Sequence, residues 1–318
     1  MDKIIFLGTS AGMPTLKRNV PALAMVFKPG DEFWLFDCGE GTQRQILQSN
    51  LKLSRLSNIF ISHLHGDHTF GLPGLLATRG LLGVKKSVNI FGPVGLDSYL
   101  NNNMDYTRTH IPYSQHLFPI EKERFLAPNL LWEKENISVY CAALNHNIDS
   151  FGFAIIKKHI QKNILIDKLL DINIPPGPIY KKFKEDETVE LEDGRILRSS
   201  DFVKETITIK KVCYCGDTTF SKNAVFLSEG ADLLIHEATF STHCKEKAIR
   251  SFHSTVGDAI EVARLAKVKK LALTHISPRY DDLANSPEKY TEFRELDEKL
   301  SSDSPEIILA EDLMELEI

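Results

Sequence analysis

Long hydrophobic runs, a secretory leader and a large excess of either charge are all missing from this sequence of 318 residues. No stretch reaches eighteen consecutive apolar residues, which argues against a membrane-spanning helix. The first residues, MDKIIFLGTSAG, contain no basic region, no long apolar stretch and no cleavage site, and therefore predict no signal peptide. The net charge of −5 excludes a chain that is basic throughout, but it leaves room for a local basic patch.

Cysteines are few, and their number is odd. Five occur, at positions 38, 141, 213, 215 and 244, and none forms a Cys-X-X-Cys pair. In a chain of this length they are typical of a cytosolic protein with reduced thiols, and they give no support to a zinc held by four cysteines. Hydrophobic residues make up 42% and charged residues 25% of the chain, as in soluble globular proteins. We therefore expect a cytoplasmic protein with an ordinary hydrophobic core.

Short apolar segments between glycine-containing loops predict strands along most of the chain. The predicted strands are Ile4–Gly8, Ala24–Lys28, Phe33–Cys38, Asn58–His63, Ser87–Phe91, Ile137–His146, Phe151–Ile156, Thr206–Asp217, Ala231–Ala238, Lys270–Ile276 and Ile307–Ala310. Helices are predicted at Gly41–Ser49, at Gly71–Leu81, after a cap at Ser254 or Thr255, and from Ser286-Pro287-Glu288 onwards. This mixture indicates an α/β (α+β) chain in which helices cover sheets.

One segment, 157–200, departs from this pattern. Between Lys157 and Lys184, seven lysines stand against two acidic residues, a local charge of +5. Pro175-Pro176-Gly177-Pro178 excludes a helix or a central strand at that point. The segment is either a solvated hairpin or an arm that contacts a polyanion. Because no internal repeat or low-complexity tract is evident, we expect one domain over residues 1–318 with this flexible insertion.

The strongest chemical signal is His63-Leu64-His65-Gly66-Asp67-His68, directly after a predicted strand. Three imidazoles and a carboxylate within six residues favour a metal site, and this mixture of ligands suits zinc. His146, Asp217 and His275 each end a later apolar strand, just before a turn. Because sites are commonly built at the ends of strands, we expect these three side chains to converge with the histidine motif.

These motifs resemble the metallo-β-lactamase fold and, within it, the ribonuclease Z family of tRNA 3′-processing endonucleases. The resemblance extends over nearly the whole chain. Apart from the histidine motif it is carried by Phe6–Gly12, Phe36–Gln45, His236–Phe240, His253–Thr255 and His275–Tyr280. It implies a four-layer αββα sandwich with a protruding basic arm, two Zn²⁺ ions per chain, a homodimer, and precursor tRNA as the substrate. It implies no further protein partner and no membrane.

The resemblance also implies roles for individual residues. It places His63, His65 and His146 on one zinc, places Asp67, His68 and His275 on the other, and makes Asp217 the bridge. It identifies the basic insertion with the family's tRNA-binding arm, whose lysines would neutralise phosphates without reading bases. The candidate substrate contacts are Lys17 and Arg18 of an N-terminal loop, Ser277 and Arg279, and Lys181, Lys182 and Lys184 of the arm.

Hydrolysis of a phosphodiester also needs groups that move protons. Asp67 is the candidate general base, with a purely metal-binding role as the alternative. His253 could protonate the leaving 3′-oxygen or bind an anion at the start of its helix. Glu237 could share in that proton relay or orient His253, and Asp37 could fix a ligand histidine. Arg279 could hold phosphate or form a structural ion pair.

Three functions fit these features. The first is a zinc endonuclease that removes 3′ trailers from tRNA precursors, cutting after the discriminator to leave a 3′-hydroxyl on the tRNA and a 5′-phosphate on the trailer. The second is a hydrolase of small thioesters, lactones or phosphodiesters, which would have no use for a basic arm. The third is an RNA-binding protein without activity, against which the complete ligand set argues. The sequence therefore favours the endonuclease.

Overall fold

A computed structural model describes residues 1–281 and 304–318. The chain forms two compact units: unit 1 contains Met1–Ile156 and Lys211–Ile318, and unit 2 is Lys157–Lys210. The helix expected from Ser286-Pro287-Glu288 lies outside the described residues. Within those residues, no helix combines the length and the apolar character needed to cross a membrane.

The secondary structure alternates between strands and short helices. The strands are β1 (Lys3–Gly8), β2 (Ala22–Phe27), β3 (Glu32–Phe36), β4 (Leu56–Phe60), β5 (Val88–Pro93), β6 (Gln115–Ile120), β7 (Asn129–Lys134), β8 (Ile137–Ala143), β9 (Phe151–Ile164), β10 (Thr188–Glu190), β11 (Ile196–Arg198), β12 (Val203–Cys215), β13 (Leu233–Glu237), β14 (Lys270–Thr274), β15 (Glu306–Leu309) and β16 (Glu315–Glu317). The α-helices are α1 (Thr42–Gln48), α2 (Gly66–Thr69), α3 (Leu72–Leu81), α4 (Leu96–Thr107), α5 (Ile166–Leu170), α6 (Ile179–Glu185), α7 (Lys222–Ser228), α8 (Lys245–Arg250) and α9 (Val256–Leu265). Single 3₁₀ turns cover Leu53–Arg55, Lys122–Phe125, Ser199–Asp201, Thr242–Cys244 and Pro278–Tyr280.

Two large sheets pack face to face in unit 1. Their strand orders are β16-β1-β2-β3-β4-β5-β6 and β15-β14-β13-β12-β9-β8-β7. Phe60 of the first sheet lies 4.9 Å from Phe36 of the same sheet and 5.4 Å from Phe153 of the second, between ring centroids, so one aromatic core joins the sheets. Helices α1, α3 and α4 cover the outer face of the first sheet, and α7 and α9 cover that of the second. The αββα sandwich implied by the resemblance is confirmed.

The alternation of side chains along a strand explains how one segment serves two cores. In β3, Trp34 and Phe36 face the core between the sheets, whereas Phe33 and Leu35 pack beneath the helices. Because both faces are covered, the strand is apolar at four successive positions instead of alternating with polar residues. Such continuous apolar runs are the signal that predicted these strands from the sequence.

Several predicted boundaries were wrong. The strand predicted at Asn58–His63 ends at Phe60, so His63 lies in the loop beyond it, and the strand predicted at Ile137–His146 ends at Ala143. The strand predicted at Phe151–Ile156 continues into the lysine-rich segment as far as Ile164. The sequence gave no sign of β6 and β7 because each lies at the edge of its sheet and leaves most of its side chains partly or fully exposed.

Unit 2 has a small hydrophobic core of its own. Its buried members are Leu169, Ile174, Phe183, Val189 and Leu191. In α6 the side chain of Phe183 points into this core, while Lys181, Lys182 and Lys184 remain exposed on the outside. Strands β10 and β11 form a separate antiparallel hairpin. The segment is therefore more than a solvated hairpin, because it holds its lysines on an ordered helix.

Candidate metal centre

Parallel strands bring the candidate ligands to one edge of the sandwich. Strand β3 is parallel to β4, and β12, β13 and β14 are parallel to one another, so their carboxyl ends meet at that edge. The residues at or just beyond these ends are Asp37, His63, Asp217, Glu237 and His275. The edge is tightly closed, because a Cβ at Gly216 would lie 2.5 Å from the Cβ of Ser62. Only glycine lets the loop of Asp217 approach the loop of His63 this closely.

The structure brings all seven predicted ligands together in three overlapping groups. The ligand atoms within each group lie within 4.8 Å of one another. The first group is His63, His65, His146 and Asp217; the second is Asp67, His68 and His275; the third is Asp217, His253 and His275. The pattern of an apolar strand followed by one ligand-type residue thus located residues that lie more than two hundred positions apart in sequence.

Distances between the ligand atoms match those expected around a metal ion. His65 Nδ1 lies 3.1 Å from His63 Nε2 and 3.3 Å from His146 Nε2. In the second group, His275 Nε2 lies 3.4 Å from His68 Nε2 and 3.5 Å from Asp67 Oδ2. Bonds of about 2.0–2.1 Å in a tetrahedral site place neighbouring ligand atoms roughly 3.3 Å apart. The residues present therefore fit a metal cofactor.

Asp217 lies between the first two groups. Its Oδ2 is 3.6 Å from His63 Nε2 of the first group and 3.3 Å from His275 Nε2 of the second. Its Oδ1 is 3.5 Å from His68 Nε2. A carboxylate with one oxygen or both near each group has the position of a bridging ligand.

Outer hydrogen bonds fix two ligand imidazoles through the Asp37 carboxylate, which has a left-handed backbone φ of 56° just beyond β3. Its Oδ2 accepts from His68 Nδ1 at 2.7 Å, from Ser62 Oγ at 2.8 Å and from the Tyr214 hydroxyl at 2.6 Å. Because the Ser62 hydroxyl donates to Asp37, its oxygen is left to accept from His63 Nδ1 at 3.0 Å. Each imidazole then turns an unprotonated Nε2 towards the centre.

The same arrangement recurs at two further ligands. His146 Nδ1 donates to the carbonyl of Phe252 at 2.7 Å. His275 Nδ1 donates to Thr239 Oγ1 at 2.7 Å, because the Thr239 hydroxyl itself donates to Glu237 Oε2 at 2.6 Å. The Nε2 lone pairs of these imidazoles therefore also face the centre. Lone pairs held within 3.5 Å of one another repel unless a cation lies among them, so this network is built to hold a metal.

Buried negative charge also favours a cation. Asp37, Asp217 and Glu237 are almost completely buried, and their charges need compensation. Burial disfavours the charged form of His68, yet the carboxylates of Asp217, Asp37 and Asp67 raise the pKa of His68 well above its ordinary value. In the absence of metal, the site would take up a proton at this position.

Replacing Asp37 with asparagine should weaken metal binding about 10- to 100-fold, as expected when a residue that holds a ligand is changed. The amide cannot accept from His68, Ser62 and Tyr214 as the carboxylate does. Metal affinity is measured by competition with a chromogenic chelator. As the comparison, Tyr214→Phe removes only one of the donors and should cost less. Equal affinities for wild type and Asp37→Asn would contradict the role assigned to Asp37.

Asp67 connects the second ligand group to the N-terminal loop. Its Oδ2 accepts a hydrogen bond from the backbone N–H of Gly12 at 2.9 Å and lies 3.6 Å from His68 Nε2. Burial by itself would raise the pKa of Asp67, but the imidazoles of His68 and His275 hold this pKa well below its ordinary value. Asp67 is therefore ionised at neutral pH. The sequence did not indicate the contribution of Gly12, since a backbone donor leaves no side-chain signal.

His253 and Glu237 form a buried pair beside the centre. His253 Nδ1 lies 2.9 Å from Glu237 Oε1 and 3.8 Å from Asp217 Oδ2. The Glu237 carboxylate also accepts from the backbone N–H groups of Thr218 at 2.8 Å and Ser254 at 3.1 Å. Burial opposes protonation of His253, but the Glu237 carboxylate raises the pKa of His253 to about 9. Because Glu237 is only 1% exposed, it acts through His253 as a positioning residue and does not share directly in the chemistry.

The start of α9 does not offer an anion site around His253. Thr255 caps this helix by accepting from the N–H of Asp258, and Asp258 accepts in return from the N–H of Thr255 at 3.1 Å. A carboxylate of the chain thus occupies the position where an anion would bind. This corrects the alternative that His253 belongs to an anion site at a helix N-terminus.

The candidate substrate contacts differ in accessibility. The Arg18 guanidinium is buried and donates to Asp281 Oδ1 at 3.2 Å and to Thr9 Oγ1 at 2.7 Å. This geometry corrects the expectation that Arg18 meets a phosphate and makes it an anchor of the loop. Lys17 of the same loop is exposed.

On the loop after β14, the Arg279 side chain is exposed. It is held by Ser277 Oγ at 2.9 Å from its Nε and by the ring of Phe240 at 4.9 Å from its Cζ. Ser277 itself is buried. Arg279 therefore keeps the accessible position that a phosphate contact needs, and Ser277 supports it.

Comparisons with known proteins follow the same direction as the geometry. A family model described as "Anti-Pycsar protein Apyc1" matches residues 2–166, and one described as "Beta-lactamase superfamily domain" matches residues 200–276. A protein named ribonuclease Z from Trichodesmium erythraeum is 47% identical over 87% of this chain and 85% of its own length. Another ribonuclease Z, from a Nostoc species, is 43% identical over 99% of this chain and 95% of its own.

A solved structure matches over the same extent. The short form of human tRNase Z superposes with a TM-score of 0.68 at 30% identity, covering 99% of this chain and 98% of that one. Identity of this degree over almost the full length of each protein, together with the ligand groups at the edge of an αββα sandwich, means that the chain belongs to the ribonuclease Z family of the metallo-β-lactamase superfamily.

Proposed function

We propose that this chain is a zinc-dependent endoribonuclease that removes 3′ trailers from tRNA precursors, cutting after the discriminator nucleotide and using two Zn²⁺ ions. The observation that carries the proposal is the pair of ligand groups joined by Asp217 in a chain of this family. Imidazole nitrogens and carboxylate oxygens are ligands that zinc prefers. Divalent ions bound there lower the pKa of water and balance the charge of phosphodiester oxygens.

Asp67 is the residue that orients and deprotonates the attacking water. Its carboxylate is ionised, and the Gly12 N–H at 2.9 Å holds Oδ2 in place, so the carboxylate can accept a hydrogen bond from water with little reorganisation. Its proximity to His68 and His275 also makes it a ligand of the second group. The two roles are compatible because a carboxylate has two oxygens.

His253 supplies the proton that the leaving 3′-oxygen requires. With its pKa raised to about 9, the imidazole is protonated at neutral pH, and Glu237 holds the ring by its Nδ1. The side chain is 17% exposed, so it remains accessible to a substrate at the centre. The product is then a tRNA with a 3′-hydroxyl and a trailer with a 5′-phosphate.

Unit 2 supplies the RNA-binding surface in this proposal. The exposed lysines of α6 carry positive charge on an ordered helix and can pair with phosphates without reading sequence. The proposal also includes a homodimer in the cytoplasm. All five cysteines are free thiols, as a reducing compartment requires, and light scattering of the purified protein tests the dimer.

The deciding experiment is cleavage of an end-labelled tRNA precursor, with the cut mapped to one nucleotide. We expect a single cut after the discriminator, loss of cleavage with a chelator, and recovery when Zn²⁺ is restored, with two zinc ions per chain by elemental analysis. Hydrolysis of a small phosphodiester without any cleavage of the precursor would contradict the proposal and favour a small-molecule hydrolase.

Replacing Lys181, Lys182 and Lys184 together with serine should raise KM for the precursor about tenfold at physiological salt and leave kcat nearly unchanged. Each lost phosphate contact releases fewer counterions on binding, so the dependence of KM on salt should weaken by about one unit of log–log slope per contact. KM is measured over a series of salt concentrations.

The matched control removes the same charge from exposed lysines of unit 1, namely Lys52, Lys85 and Lys267. These should leave both KM and its salt dependence close to those of the wild type. If both triple variants change KM equally, the effect comes from net charge and not from unit 2.

A further inference from the structure

A groove of about 570 Å³ opens beside His253 and has no part in the chemistry described above. It lies within unit 1, where its lining includes Thr219, Phe220, Thr242, Lys245, Ile249 and His253, with the first turn of α9 forming its floor. Because His253 lines both this groove and the metal centre, a ligand in the groove is continuous with a phosphodiester at the centre.

The lining of the groove suits a flat ring more than a free anion. Phe220 is 36% exposed and Ile249 is 56% exposed, so apolar side chains form much of the accessible surface. The amide groups at the start of α9 are closed by the Thr255–Asp258 cap and are unavailable to a phosphate. At the side of the groove, Lys245 Nζ lies 3.2 Å from Asp258 Oδ1, which places a donor and an acceptor near the edge of a bound ring.

Single-stranded RNA is bound in this way by many proteins. Unpaired bases stack on aromatic side chains and present their polar edges to nearby donors and acceptors. A nucleobase therefore matches the groove in shape and in chemistry.

The position of His253 identifies which nucleotide this is. An in-line displacement places the attacking water and the leaving oxygen on opposite sides of the phosphorus. If Asp67 activates the water and His253 protonates the leaving 3′-oxygen, the nucleoside that carries this oxygen lies on the His253 side. In a tRNA precursor cut at the trailer junction, that nucleoside is the discriminator.

We infer that the groove binds the discriminator nucleoside, with its base stacked on Phe220 and packed against Ile249. This inference rests on the proposed function and assigns a substrate-binding role to residues outside the metal centre. The groove then fixes the leaving oxygen against His253, which places the cut at the 3′ side of the nucleotide that the groove holds.

The test compares wild type with Phe220→Ala on three precursors: an intact one, one without a base at the discriminator, and one without a base at the first trailer nucleotide. On the intact precursor we expect the variant to lose about tenfold in kcat/KM, as for one lost base–aromatic stack. The loss should disappear with the abasic discriminator and persist with the abasic trailer nucleotide. Phe220→Tyr, which keeps the ring, should behave like wild type.

Phe226→Ala is the matched control, since this exposed phenylalanine of α7 does not line the groove. It should cleave all three precursors at the wild-type rate, and the zinc content of every variant is measured alongside. The inference is overturned if Phe220→Ala loses nothing, if its loss disappears with the abasic trailer nucleotide, or if the loss is equal on all three precursors. Failure of the wild type to cut the intact precursor would overturn the proposed function itself.

Discussion

Replacing Asp217 with asparagine should reduce cleavage of a tRNA precursor by at least about a thousandfold, equivalent to about 4 kcal/mol of transition-state stabilisation. Asp217 lies within 3.6 Å of nitrogen atoms in both ligand groups, so its charge serves both. An amide of the same shape has no negative charge and offers only one acceptor oxygen. Bound metal should therefore fall towards one ion per chain or fewer, measured by elemental analysis after gel filtration.

His146→Ala separates the two ligand groups in the same experiment. His146 belongs to the first group alone, so this variant should lose one ion and keep the other. The control is Asp149→Asn, which makes the same chemical change at a half-exposed carboxylate paired with Lys122. Asp149→Asn should keep both ions and full activity. Retention of two ions and wild-type activity by Asp217→Asn would refute the bridging role.

The sequence predicted the ligands well because their local signals are strong. His63, His146 and His275 each follow an apolar strand that is buried on both faces, and strands of this kind show as continuous hydrophobic runs. The parallel pairing of β12, β13 and β14 then places the residues after them at one edge, wherever they stand in sequence. Convergence of the ligands is thus a consequence of the strand pattern.

The supporting hydrogen bonds were harder to predict because their signals are weak or absent. Gly12 contributes a backbone N–H, which any residue carries. Thr239 lies in a segment that carries the family resemblance, yet its hydroxyl links Glu237 to His275 only once β13 and β14 are paired in register. Tyr214 resembles any other core aromatic in the sequence, although its hydroxyl donates to Asp37.

Arg18 illustrates the opposite error. A basic residue in a polar loop favours contact with phosphate, but the loop folds back so that its guanidinium lies among Thr9, Asp281 and the carbonyl of Ala310. These partners lie far from Arg18 in sequence except for Thr9. Burial of a charged side chain depends on such distant segments, so local composition does not reveal it.

Replacing His253 with alanine should lower kcat for precursor cleavage by about 100- to 1000-fold, within the range expected for loss of a general acid. KM and zinc content should stay near their wild-type values, because His253 protonates the leaving oxygen and the predicted ligands of both groups remain. The control is His116→Ala on β6, an exposed histidine at the edge of the first sheet. It should have no effect on any of these quantities.

Glu237→Gln distinguishes a positioning residue from a structural one through the pH profile of kcat/KM. Burial lowers the pKa of His253 and the Glu237 carboxylate raises it to about 9, so the protonated acid is present at neutral pH and is lost as the pH rises through about 9. Without that carboxylate the effect of burial remains, and the alkaline limb should move to lower pH. Glu246→Gln, at an exposed position on α8, should leave the limb in place. A Glu237→Gln variant that loses activity equally at every pH would mean that the carboxylate supports the fold and does not tune His253.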